Sequence, residues 1–287
     1  MRHLSLLLAF VATLSSAGLA SPARAAPVVF EAAGANAAAI TSTRDAFRAA
    51  VGGGTVAGAN GSFGGLRREI NWDGVPDSRS DPNALPADFF NTTSPRGVVF
   101  STPGTGFLVS ANASGSAPIL FGLPNDFQAF SAQRLFTAVN SNITDIRFFL
   151  PGSATAATTS AFGLIFVDVE VPGLTTLEFY DPNEQLLFSR SALVGSNKGF
   201  SFLGANFTDG TAISRVRITA GRNTIVSNGQ LGNPNDDVVV MDDFLYAEPL
   251  QASTVPEPGS AALVGVTLLA LTAIRRRRSA IPPLPAR

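Results

Sequence analysis

Residues 67 to 73 hold the densest group of chemically capable side chains in the chain, in the order Arg-Arg-Glu-Ile-Asn-Trp-Asp. An indole can stack against the apolar face of a sugar, while amide, carboxylate and guanidinium groups bind its hydroxyls. Trp72 with Asn71, Asp73 and Arg68 therefore predicts a ligand-binding surface for carbohydrate. The alternative is an alternating strand, in which Trp72 points into a core while Asn71 and Asp73 face water.

Glycoside hydrolysis is the second chemistry that this run suggests, because it uses two carboxyl groups. Glu69 and Asp73 are the candidates. Four residues along a strand span about 13 Å, which is too far for either working geometry of the two carboxyl groups. No sequence feature selects a partner from elsewhere, so we expect no catalytic residues and a protein that is not an enzyme.

A second acidic cluster lies near the end of the body, where Asp242 and Asp243 interrupt an apolar run. The run resembles the closing Asp-Asp strand of jelly-roll domains that bind carbohydrate, and this resemblance implies pairing with the first strand. It implies a structural Ca²⁺ between Glu31 and Asp242 or Asp243, since Ca²⁺ prefers carboxylate oxygens. The acids could instead cap strand ends in solvent, or an inward aspartate could pair with Arg217 or Arg147.

The residue types that are absent or rare exclude several chemistries. The chain has no Cys, so it has no disulfides, thiolate nucleophiles or iron–sulfur clusters. Its one histidine, His3, lies in the predicted leader, which excludes Ser-His-Asp catalysis and His-ligated metals in the mature chain. Lys198 is the only lysine. Apart from the calcium noted above, no cofactor is expected.

The charge of the body differs from the net −1 of the whole chain. Residues 26 to 255 contain 13 basic and 20 acidic residues, a net charge of −7. Proteins that bind nucleic acid without sequence preference present a positive face to its phosphates. Nucleic acid is therefore not an expected partner.

Short apolar runs separated by Gly, Pro and Asn turns predict an all-β sandwich of two sheets over residues 26–249. The resemblance of its closing strand implies that the sandwich is jelly-roll-like. One short helix is predicted at 41–51, capped by Ser42 or Thr43 and ended by glycines. Residues 162–167 are apolar on both faces, which is typical of a central strand. The predicted strands are 28–31, 98–101, 106–111, 134–139, 144–150, 162–169, 175–180, 185–190, 200–207, 213–219 and 238–246.

Residues 1–25 have the pattern of a signal peptide. Arg2 and His3 give a polar, positive start, and residues 4–14 are apolar. Ala23 and Ala25 supply the small-x-small pattern of a cleavage site, and we expect cleavage after Ala25. The chain is therefore predicted to be exported.

The other end of the chain has three consecutive parts. A linker at 250–259 contains Val255, Pro256, Glu257 and Pro258; the next part, 260–278, begins with fifteen residues without charge. Such a run is short but close to a membrane-spanning length, and cationic residues that follow a span stay on the cytoplasmic side. The cationic residues are Arg275, Arg276, Arg277 and Arg278, and a tail at 279–287 follows them.

This order of parts resembles the PEP-CTERM sorting signal of Gram-negative bacteria, and the body resembles secreted bacterial proteins that share this tail. The resemblance implies recognition by an exosortase, with the C-terminal helix first held in the inner membrane. It implies a final place in the cell envelope or outside the cell, associated with exopolysaccharide or biofilm. A non-enzymatic matrix protein is the first expectation, followed by a carbohydrate-binding module and then a carboxylate-dependent glycoside hydrolase.

Overall fold

The computed structural model describes residues 26–111, 119–226, 230–233 and 236–251. The predicted signal peptide with Ala23 and Ala25 lies outside these residues. So do the sorting motif, the apolar run and the arginine cluster at 255–278, as well as the tail at 279–287. Within the described part of the chain, no helix is long and apolar enough to cross a membrane.

Strands dominate the described residues, with two α-helices and three 3₁₀ turns between them. The helices are α1 (Ala38–Val51) and α2 (Phe89–Thr92), and the 3₁₀ turns are Ala59–Gly61, Asp77–Arg79 and Leu120–Gly122. The strands are β1 (Val28–Gly34), β2 (Ser62–Phe63), β3 (Arg67–Ile70), β4 (Val98–Ser101), β5 (Gly106–Val109), β6 (Phe136–Val139), β7 (Ile143–Phe148), β8 (Ala161–Val167), β9 (Thr176–Tyr180), β10 (Leu186–Ser191), β11 (Phe200–Asn206), β12 (Arg215–Thr219), β13 (Ile225–Val226), β14 (Gln230–Leu231) and β15 (Val240–Ala247).

The strands form two sheets, as the sequence predicts for a β-sandwich. The larger sheet has the order β1-β11-β8-β15-β6-β13-β14, with β3 also paired to β15, β2 to β3 and β5 to β6. The smaller sheet has the order β10-β9-β12-β7-β4. Strand β8 lies between β11 and β15 and is buried along its whole length, which confirms the prediction of a central strand.

The main core lies between the two sheets and is rich in phenylalanine. Alternation along β7 and β12 directs every second residue into it, as the period of a half-buried strand requires. On β12, Val216 and Ile218 are buried while Arg217 is only partly covered. The large aromatic side chains of this core include Trp72, Phe100, Phe136, Phe148, Phe162, Phe166, Phe179, Phe244 and Tyr246.

Helix α1 covers the other face of the larger sheet, so a second apolar layer forms there. Phe47 is fully buried and makes edge-to-face contacts with Phe30 and Phe202 at ring-centroid distances of 5.5 and 5.6 Å. The helix ends where predicted, with the amide of Gly52 donating to Arg48 O, but it begins three residues earlier than predicted. The expected caps Ser42 and Thr43 lie inside it, since the alanines before them are strong helix formers.

Strand pairing at the sheet edge differs from the prediction. The first strand β1 pairs with β11, and β15 pairs with β8, β6 and β3. Strands β11 and β8 therefore separate β1 from β15. Because neighbouring strands are about 4.8 Å apart, roughly 14 Å of sheet lies between the first and last strands.

Candidate functional site

The polar run at 67–73 and the Asp-Asp pair at 242–243 come together where β3 pairs with β15. Phe244 lies opposite Ile70, and Leu245 lies opposite Glu69. The pairing of β15 with β8 advances three residues on β15 for two on β8 between Met241 and Phe244. This is a β-bulge, which places one extra residue in the strand at the Asp-Asp pair and redirects its side chains.

Trp72 does not offer a surface for a sugar, which corrects the first prediction for this run. Its side chain is only 1% exposed and stacks on Phe136 with the ring centroids 4.1 Å apart. The indole Nε1 donates a hydrogen bond of 3.1 Å to Asp242 O. The alternative is correct about the burial of Trp72 and the exposure of Asn71. It is wrong about the strand, because β3 ends at Ile70 and Trp72 and Asp73 lie beyond it.

The neighbours of Trp72 in the sequence remain at the surface or close to it. Asn71 is exposed, and its amide donates to Asp73 Oδ2 at 3.3 Å. Asp73 Oδ1 accepts from the amide of Arg134 at 3.3 Å, and partial burial raises the pKa of Asp73 to about 6. Arg68 is held by Glu248 through its Nε at 2.8 and 2.9 Å, so it braces the strand pair rather than projecting into solvent.

Asp242 is fully buried at the bulge, where hydrogen bonds hold its carboxyl group. Oδ2 accepts from the amide of Phe130 at 2.6 Å, and Oδ1 accepts from Ser131 Oγ at 3.0 Å and from the amide of Asp243 at 2.9 Å. Burial, and then the negative charge of Asp243, raise the pKa of Asp242 well above its usual range. Neither Arg217 nor Arg147, the partners considered from the sequence, provides these contacts.

Asp243 is 4% exposed, and its Oδ1 accepts no hydrogen bond from the described residues. Burial raises the pKa of this carboxyl group against the opposing effects of Ser131, Arg48 and Arg44. Two ionised carboxylates side by side at the bulge would repel each other. The pair therefore retains a proton to higher pH than an isolated aspartate does.

The predicted calcium site is not assembled, because Glu31 lies far from the two aspartates. Arg190 binds Glu31 with both nitrogens of its fork, Nη2 to Oε1 at 2.5 Å and Nε to Oε2 at 2.9 Å. The intervening strands β11 and β8 keep Glu31 from Asp242 and Asp243. Among the residues that the structure describes, no group of three or more acidic or histidine side chains is placed to hold a metal ion.

The arginines considered as partners of the aspartates serve a charge network on the outer face of the smaller sheet. Arg217 binds both oxygens of Asp145 at 2.9 and 2.8 Å, and Arg147 binds Glu184 at 2.7 Å. Arg215 joins the two acids, with bonds of 2.7 Å to each. Opposite charges on neighbouring strands stabilise a sheet modestly, so we interpret this network as a contribution to the stability of the smaller sheet.

Sequence reasoning missed the arginines that helix α1 contributes. Arg48 binds Glu69 with both nitrogens, Nε to Oε1 at 2.8 Å and Nη2 to Oε2 at 2.6 Å, and Arg67 Nε binds the same Oε1 at 2.7 Å. Arg44 lies one turn before Arg48 and packs over the ring of Phe130. Their spacing of four residues was a signal, because residues i and i+4 share a helix face.

Arg44, Arg48 and Glu69 line an open cavity of about 530 Å³, which we call the polar groove. Asn60, Gly61 and Phe63 lie on one side of it, and Ser131 lies over the bulge. Ser131 comes from an irregular loop, and nothing in its sequence context marks it. The charged and amide side chains that line the polar groove are Arg44, Arg48, Asn60, Glu69, Asn71, Arg96 and Asp243.

Among the described residues, neither the two apolar layers nor the polar groove contains a recognisable catalytic set. Comparisons with protein-family models, with curated proteins and with solved structures find no match to this chain. The side chains of the site and the signals at the two ends of the sequence therefore carry what can be inferred about function.

Proposed function

We propose that this chain is a non-enzymatic exported protein of the cell envelope or extracellular matrix, sorted by an exosortase through its C-terminal tail. One observation carries the proposal: a signal-peptide pattern at 1–25 and a Pro-Glu-Pro, apolar and arginine tail at 255–278 flank a single body. The β-sandwich described above is compatible with this role, since its core contains no Cys and needs no disulfide.

The finer features of the prediction belong to this proposal as well. We take the sandwich to be jelly-roll-like, which is supported by antiparallel pairing between strands far apart in sequence, such as β1 with β11 and β3 with β15. We take the apolar run at 260–274 to be a helix that first lies in the inner membrane, with the arginine cluster at 275–278 on its cytoplasmic side. The expected association is with exopolysaccharide or biofilm.

Processing of the tail tests the proposal. The full chain is produced in a bacterium that contains an exosortase, and its mass and cell fraction are measured. We expect a product that has lost the apolar tail and has left the inner membrane. Replacing Pro256, Glu257 and Pro258 together with alanine should leave the chain at its unprocessed mass in the membrane fraction.

Pro172→Ala is the matched control, because it removes an exposed turn proline from the body and leaves the tail intact. This variant should be processed like the native chain. Equal processing of the native chain and the triple variant would contradict sorting through the Pro-Glu-Pro motif.

A further inference from the structure

Three depressions adjoin one another on the surface, and residues of helix α1 line two of them. The polar groove shares Asn71 and Arg96 with a neighbouring cavity of about 310 Å³, and it shares Arg44, Arg48 and Phe63 with another of about 590 Å³. Cavities of this size hold small ligands, and a row of adjoining cavities suits an extended one. The shape favours a linear molecule over a compact one.

The charges in the polar groove disfavour small ions of either sign. The guanidinium groups of Arg44, Arg48 and Arg96 repel cations. Anions meet the carboxylate of Glu69, and the Nε and Nη2 donors of Arg48 are already used by that carboxylate. A ligand without net charge avoids both penalties.

The hydrogen-bonding capacity left in the polar groove is mixed. Asp243 Oδ1 is a buried acceptor and Arg96 Nε a buried donor, and neither has a partner within the described residues. The amides of the exposed Asn60 and Asn71 each add donors and an acceptor. Hydroxyl groups both donate and accept, so they are complementary to such a mixture.

The polar groups are also fixed before any ligand arrives. Arg48 and Arg67 clamp Glu69, Arg96 Nη1 donates to Glu69 O at 2.8 Å, and Ser131 Oγ donates to Asp242. A site whose side chains are already ordered loses less entropy on binding.

We propose that the polar groove binds an uncharged oligosaccharide chain. Trp72 takes no part in this binding, and the site lies on the helix-covered side of the β3–β15 pair. The inference goes beyond export and sorting. A binding assay tests it independently of tail processing. Absence of glycan binding would not contradict the proposed sorting, and absence of processing would not contradict glycan binding.

The test uses the full chain, purified in detergent, and a panel of neutral glucans, mannans and galactans with alginate and chitosan as charged polymers. Asn60→Gly and Asn71→Ala are combined, because both side chains are exposed and Asn60 has a φ of 53°, which glycine adopts readily. We expect a neutral glycan to bind the native chain and to bind the double variant about tenfold more weakly.

Asn183→Ala is the matched control, since Asn183 is an exposed turn residue in the β9–β10 connection of the opposite sheet. Its affinity should equal that of the native chain, and thermal melting establishes that each variant is folded. Three results would overturn the proposal: no neutral glycan binds, the double variant binds as tightly as the native chain, or only the charged polymers bind.

Discussion

At the scale of single residues, Trp72 shows how one aromatic side chain organises its surroundings. Its backbone has a φ of 66°, which is uncommon for a bulky residue and turns the chain away from β3. That turn lets the indole stack on Phe136 and donate to Asp242 O. The indole thus ties to the core the bulge that places Asp243 at the wall of the polar groove.

Asp168 provides a test of stability against pH. Burial raises its pKa to about 7, and its Oδ1 accepts from the amide of Lys198 at 2.7 Å. A raised carboxyl pKa means that the folded state binds more protons than the unfolded state between pH 3.8 and about 7. The free energy of unfolding should therefore fall as pH rises through this window, because the buried carboxyl group of Asp168 must give up its proton.

Asp168→Asn keeps an acceptor for Lys198 and tolerates the φ of 74°. It should flatten the pH dependence of the urea midpoint and raise stability at pH 8 by on the order of 2 kcal/mol. Asp88→Asn, at an exposed aspartate, is the control that should leave the slope as it is in the native chain. An unchanged slope in Asp168→Asn would refute the assignment.

At the scale of elements, helix α1 docks on the larger sheet through a notch made by two glycines. Gly163 on β8 lies opposite Gly204 on β11, and Phe47 fills the space above them. A Cβ at Gly204 would lie 2.9 Å from Phe47 Cδ2 and 3.3 Å from Gly163 Cα. The absence of side chains at this point lets the helix approach the sheet closely.

Gly204→Ala should therefore destabilise the protein, although alanine normally suits a strand better than glycine does. Crowding in a packed layer costs about 1–3 kcal/mol, measured as a lower urea midpoint. Adding Phe47→Leu should recover part of this loss, because the two changes act on one contact. Gly74→Ala is the control, because no atom would lie within 4 Å of the added Cβ. A Gly204→Ala variant as stable as the native chain would contradict the close approach of helix and sheet at the two glycines.

Elements with strong local patterns could be predicted from the sequence, while their pairing could not. Alternation and turn residues place β4 at Val98–Ser101, as predicted, and β9 and β12 within two residues of the prediction. Strands β13 and β14 have two residues each, too few for a period. The pairing of β3 with β15 joins residues far apart in the sequence, such as Glu69 and Leu245, so no local pattern places Glu69 and Asp243 in one groove.

At the scale of the whole molecule, the larger sheet is shared by two apolar layers. One face packs against the smaller sheet and the other against helix α1. Strands β8 and β11 contribute side chains to both layers. If one layer unfolds, the other therefore loses part of its own packing. The three layers should therefore unfold together.

Urea unfolding followed by two probes tests this expectation. Trp72 is the only tryptophan, and its emission reports on the core between the sheets. Far-ultraviolet circular dichroism reports on all strands and on α1. The two curves should coincide, with one midpoint and one slope; separate midpoints would show that the helix layer unfolds on its own.

The central place of β15 has a mechanical consequence. Residues 248–251 continue from this strand toward the tail, and Leu250 is bridged to Thr158 through both its amide and its carbonyl. Tension applied to the chain beyond residue 251 enters the body through a strand that is hydrogen-bonded on both sides. A force on the tail would have to break the hydrogen bonds on both sides of β15 at the same time. A body held by its tail would therefore resist mechanical unfolding at the attachment point.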